Sequence, residues 1–162
     1  MIAPKTLAEA FARNVDIIKR QAEGLSQADS LIQLPFRSNC MNWVLGHLVN
    51  NRQSVLKLLG AELAIDAGRL SHYTHGSEPV LADGPDVLPL DQLLAFLEES
   101  QEQITSLLEQ VTPQALEKPV VVFGDRSQSV ADWLFFFYFH DCYHTGQTEI
   151  LRQAAGKNDK II

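Results

Sequence analysis

Apolar residues recur at three- and four-residue steps through four stretches of the chain, and that spacing predicts helices rather than strands. Leu7, Phe11, Val15, Ile18 and Leu25 mark the first, over about residues 6–24, with Thr6 and Glu9 spaced as a capping box. The second follows Ser38 and Asn39, both good N-caps, and runs over about 40–59 to Gly60, which suits the turn past a helix end. The third begins after Pro89, carries Leu90, Leu94, Leu97, Ile104, Leu108 and Val111, and stops at Thr112-Pro113, giving about 90–111. The fourth opens at Ser129, with Asp132 three residues on, and covers about 129–155, ahead of Gly156.

Four amphipathic stripes can bury one another without a sheet, so the expected fold is an all-α four-helix bundle, one domain over residues 1–162. Residues 60–89 hold Gly68, Gly76, Pro79, Gly84 and Pro85, and such a connector is too long for a tight antiparallel turn. A crossover between the second and third helices is therefore predicted. Val120 to Phe123 reads as an extended piece, although one short apolar run does not establish a sheet.

Polar residues interrupt these stripes. The seam of the fourth helix reads Trp133, Phe137, His140, His144, Gln147, Leu151, Ala154, and that of the second reads Cys40, Val44, His47, Asn51, Ser54, Leu58. Asn14 lies in the first stripe and Gln101 in the third. Unpaired polar groups in a core cost roughly 1 to 3 kcal/mol each, so several together imply mutual hydrogen bonds, water or a metal. His140 and His144 stand one turn apart on a single helix face, and His47 comes from another helix. Three neutral imidazoles are a recurrent shell for catalytic Zn²⁺ and related ions, which makes His47, His140 and His144 the candidate metal ligands. Asn51, Gln101 and Gln147 are the candidates to line a ligand pocket beside them. His72-Tyr73-Thr74-His75 reads as exposed loop, Glu98, Glu99 and Glu102 as a solvated face, and the Phe135 to Phe139 aromatics as a surface that either a dimer or the crossover would cover.

Composition narrows the function classes. A net charge of −7 with 13 scattered basic residues argues against nucleic acid or anionic lipid as partner. No stretch reaches the eighteen or so apolar residues of a membrane span, and the amino terminus lacks the basic start and apolar core of a signal peptide, so a soluble cytoplasmic protein is expected. The two cysteines, Cys40 and Cys142, form no metal-binding pattern and are expected to be reduced. Phosphate loops, nucleophile elbows and the HExxH protease motif are missing, His140 being followed by Asp141-Cys142-Tyr143.

The run Asn42-Trp43-Val44-Leu45-Gly46-His47-Leu48, the pair His140-x3-His144 followed by Thr145-Gly146-Gln147, and the long crossover together resemble the DinB/YfiT-like superfamily of metal-binding four-helix bundles. The resemblance implies a divalent ion, zinc or nickel foremost, on His47, His140 and His144, and frequently a homodimer. Many relatives carry a histidine just before the last ligand and an arginine after it, where this chain has Tyr143 and Thr145. Characterised branches include transferases and isomerases that use low-molecular-weight thiols, so a metal-dependent thiol transferase acting on a small electrophile is the concrete expectation. A metal-dependent hydrolase and a non-catalytic ligand-binding bundle are the alternatives. No catalytic residue beyond the metal ligands is singled out.

Overall fold

Helices form where the apolar spacing placed them, with additions at their joints. In the computed structural model, which describes residues 2–161, α1 spans Pro4–Ala22, α2 Gln27–Ser30, α3 Met41–Leu58, α4 Leu90–Gln110, α5 Pro113–Glu117 and α6 Val130–Ala154. A 3₁₀ segment, Ala67–Tyr73, interrupts the connector between α3 and α4. The extended run after Pro119 does find a partner: β1 (Pro119–Val121) pairs antiparallel with β2 (Ser127–Ser129), Val120 opposite Gln128. Thr112-Pro113 ends α4 and then starts α5, the Thr112 hydroxyl accepting from Ala115 N at 3.2 Å.

Two helix starts differ from expectation. Pro4 opens α1 from the first turn, where its fixed φ and missing N–H are tolerated, so Thr6 lies inside the helix and caps nothing. Cys40, without a side-chain bond, precedes α3 in place of Ser38 or Asn39. A capping box does form at α2, between Ser26 and Asp29, and the expected Ser129 cap opens α6 by accepting from Asp132 N at 3.1 Å.

The four long helices close into a ring in which α1 neighbours α4 and α6, and α3 neighbours the same two. Ala8 facing Gln101 and Lys19 paired with Glu98 set α1 and α4 antiparallel, whereas Asn42 bonding Leu88 and Arg52 bonding Gln101 set α3 and α4 parallel. Parallel neighbours in sequence require the chain to return along the bundle, which is why the crossover is long. Tyr73 anchors that return: its hydroxyl donates to Asn42 Oδ1 at 3.0 Å and accepts from Leu88 N at 2.8 Å, all three residues buried. Gly46 makes room for it, since a Cβ there would stand 2.2 Å from the Tyr73 ring.

At the centre a charged layer replaces apolar packing. Arg52 donates to Asp141 Oδ2 at 2.7 Å, to Gln101 Oε1 at 3.1 Å and to Phe11 O at 3.4 Å, with side-chain exposures of 0% for Arg52 and 1% for Asp141. The three contacted groups come from α4, α6 and α1, and Arg52 itself from α3, so the guanidinium fixes the mutual register of all four long helices. Arg152 does similar work at the bundle end, donating to Gln21 O in the last turn of α1, to Glu23 O just past it and to Asp159 of the tail. No helix among the described residues is long and apolar enough to cross a membrane.

Candidate metal centre

His47 sits mid-way along α3, and His140 and His144 sit on successive turns of α6 opposite it. The His140 Nε2 atom lies 3.2 Å from His47 Nε2 and 3.1 Å from His144 Nε2, and the three rings are mutually inclined by 60° to 76°. Bonds of about 2.0–2.1 Å to one divalent ion would hold such nitrogens roughly 2.8–3.4 Å apart for angles between square and tetrahedral. The three expected ligands thus form one cluster whose donor atoms share a focus.

Their outer nitrogens decide the tautomers. His47 Nδ1 lies 2.7 Å from Tyr73 O, and a carbonyl only accepts, so Nδ1 carries the proton and Nε2 presents a lone pair. His144 Nδ1 donates to Gln147 Oε1 at 2.6 Å with the same result. Two lone pairs therefore face His140 Nε2, while His140 Nδ1 is buried without a partner. Whichever nitrogen of His140 holds its proton, this geometry leaves a repulsion or an unmet polar atom; a cation at the focus would accept all three lone pairs at once, so the residues fit the ion.

Burial holds all three rings neutral. His140 is pushed down to about 3, first by desolvation and then by the neighbouring imidazoles, and His144 to about 4, first by desolvation, with its bond to Gln147 opposing the fall and His47 adding to it; His47 is lowered for the same leading reason. Trp43 stacks on His47 with ring centroids 4.7 Å apart and closes one side of it. Phe136 leans on His140 and is continued by Phe123 at the hairpin turn, and Tyr143 stands edge-on to His144.

The expected pocket residues separate into two groups. Asn51 and Gln147 lie with the triad: Asn51 Nδ2 donates to His47 O at 2.7 Å and is 3.1 Å from His47 Nε2, and Gln147 orients His144. Gln101 does not join them, because its amide is held by Arg52, Ala8 O and Thr105, on the α1 and α4 side of the bundle. Asn14 likewise bonds Cys142, at 3.4 Å. His72 and His75 are exposed, as expected, but Tyr73 between them is buried and supplies the bond to His47. That backbone contact carried no sequence signal, and neither did the burial of Arg52 and Asp141, each next in sequence to a site residue.

A family model described as the DinB superfamily matches residues 7–148. The chain belongs to the DinB superfamily. Similarity to a solved structure, the conserved protein of a locus from Enterococcus faecalis, covers 96% of this DinB-superfamily chain and 98% of that one with a TM-score of 0.72 at 14% identity, a likeness of fold. No curated protein matches the sequence.

Proposed function

We propose that this DinB-superfamily protein binds one divalent ion, zinc or nickel, on His47, His140 and His144 and uses it to transfer a low-molecular-weight thiol to a small electrophile. The observation that carries this is the convergence of three neutral imidazoles whose Nε2 lone pairs are aimed by Tyr73 O and Gln147. Such an ion supplies Lewis acidity that makes a thiol easier to deprotonate. Asn51, whose amide points at the focus, offers donors to a ligand, and Trp43 and Phe136 exclude water from its flanks.

Transfer is preferred to hydrolysis because a cavity of about 560 Å³, lined by Ser54 and Leu58 further along α3 and roofed by Val120, Val121 and Val122 of the hairpin, offers room for an extended thiol. Two lysines, Lys57 and Lys118, stand on its wall and suit the carboxylates of an extended cellular thiol. A second copy of the chain is the proposed partner: Phe136, Phe139, Tyr143, Gly146 and Ile150 form an exposed stripe at heptad spacing on α6, and Gly146 leaves a hollow for a partner's side chain. The protein is proposed to work in the cytoplasm, where such thiols stay reduced.

The test titrates cobalt-loaded protein with a panel of cellular thiols, watching for a sulfur-to-metal band, and then assays conjugation to electrophiles. A band that disappears in His47→Ala together with conjugation supports transfer. Silence toward every thiol with cleavage of esters or amides replaces it by hydrolysis, and silence in both leaves a binding module.

A further inference from the structure

Two residues of α3 bracket His47 at one-turn spacing. Trp43, on the turn before it, stacks on the face of its ring with centroids 4.7 Å apart, and Asn51, on the turn after it, brings its amide to the inner edge of the ring. Asn51 Nδ2 lies 2.7 Å from His47 O and 3.1 Å from His47 Nε2. Both partners are acceptors: the first is a carbonyl, and the second is the ring nitrogen left without a proton because Nδ1 donates to Tyr73 O. The carbonyl also fixes which way the amide faces, since a flipped amide would set its oxygen against His47 O. Each N–H of Asn51 therefore has its own partner, one on the backbone and one at the focus of the triad. Gln147, by contrast, meets the outer nitrogen of His144, turned away from that focus. Asn51 is 8% exposed, so an N–H that loses its partner here has little water to turn to.

An ion held by His47 takes the same Nε2 lone pair that the second N–H uses. The bond to His47 O keeps the amide where it is, so the released N–H is left buried at the coordination sphere, in need of an acceptor. A thiolate sulfur, a carboxylate oxygen or an azide nitrogen keeps lone pairs after bonding an ion and accepts it, whereas a neutral imidazole uses its one lone pair on the ion and has none left. We propose that Asn51 is the specificity-determining residue for the ion's remaining ligand, its N–H selecting anions that keep a lone pair over neutral nitrogen bases. This rests on the divalent ion of the proposed function but not on thiol transfer, and it names the chemical class that the site admits beside the three imidazoles.

Two measurements on the full chain test it. First, cobalt-loaded wild type, Asn51→Leu and Asn51→Ala are titrated with azide and, separately, with imidazole, each read from the visible cobalt bands. Azide affinity relative to imidazole should fall about 10- to 100-fold in both variants, the range of one hydrogen bond to an anion. Asn51→Leu should hold zinc at least as tightly as wild type in competition with a chelator, because the N–H that shares the His47 lone pair is gone. Second, side-chain amide NMR of zinc-loaded wild type follows Asn51 as azide is added. One of its two protons should move downfield while the other, on His47 O, stays in place. An unchanged ratio of azide to imidazole affinity, zinc lost from Asn51→Leu, or an Asn51 amide indifferent to azide would each overturn the proposal, and the last applies even where neither variant folds. If azide binding depends on Asn51 but no thiol alters the cobalt spectrum, thiol transfer falls and the role of Asn51 stands. Protein that takes up no ion overturns both.

Discussion

Replacing Arg52 by Met would leave the Asp141 carboxyl buried at the centre of the bundle without its counter-ion. Breaking a buried pair from one side costs about 3–5 kcal/mol, which for a chain of this size corresponds to a fall in Tm of roughly 6–20 °C. Asp141→Leu should cost less, because Gln101, Ser100 and Phe11 O still accept from the guanidinium. The double variant, Arg52→Met with Asp141→Leu, removes both charges and should lie within about 2 kcal/mol of the wild type, less destabilised than Arg52→Met alone. Burial pushes the Asp141 carboxyl upward and Arg52 opposes it, so removing Arg52 frees the upward shift. A folded pKa above the unfolded one means that the folded state holds the extra proton, and Arg52→Met should regain stability as pH falls from 7 toward 5. Urea denaturation of the four proteins at pH 7 and pH 5 measures all of this. Additive single effects at pH 7, with no rescue in the double variant, would refute the claim that the two charges depend on each other.

The remaining expectations concern the site and the surface. Gly46→Ala should cost about 1–3 kcal/mol by driving a Cβ into the Tyr73 ring, and should also weaken metal retention because Tyr73 O aims His47; calorimetry and dialysis against zinc read the two effects. His140→Ala and His144→Ala should lose most bound metal while His72→Ala keeps it, by elemental analysis of untagged protein. In metal-free protein the folded-state values of about 3 for His140 and about 4 for His144 lie below the ordinary 6.5, so the unfolded state binds protons first. Stability should then decline as pH drops from about 6.5 toward 4, by about 1.4 kcal/mol per pH unit for each histidine, and a flat profile in thermal melts would contradict it. Phe139→Glu, a charge in the exposed α6 stripe, should convert the proposed dimer to a monomer in light scattering while the helical circular dichroism is kept.

The histidine cluster was legible because imidazoles four apart in an apolar stripe have few other reasons to face inward, and a third on another stripe gave them a partner. The crossover was legible from length and its glycines and prolines. Arg52, Asp141 and Arg152 were not, since a charged residue beside a stripe normally marks solvent, and only the fold reveals that Arg52 and Asp141 neutralise each other across the bundle. The same pair explains Gln101: its place in the stripe was right, but the group it serves is Arg52 and not the histidines. A strict seam was also too narrow for α3, where Met41 through Val49 are all buried because the crossover covers the face that neighbouring helices leave open. Ala154, assigned to the α6 seam, is exposed for the complementary reason that the buried stripe there passes through Thr148, Leu151 and Arg152.

X-ray absorption at the zinc edge of zinc-loaded, untagged protein bears most directly on the centre. Three imidazole nitrogens at about 2.0–2.1 Å with a water oxygen in the fourth position are expected, and the imidazole scattering should diminish together with bound zinc in His140→Ala. A shell containing sulfur near about 2.3 Å in the absence of added thiol, or zinc retained unchanged after His140 is removed, would contradict a site built on His47, His140 and His144.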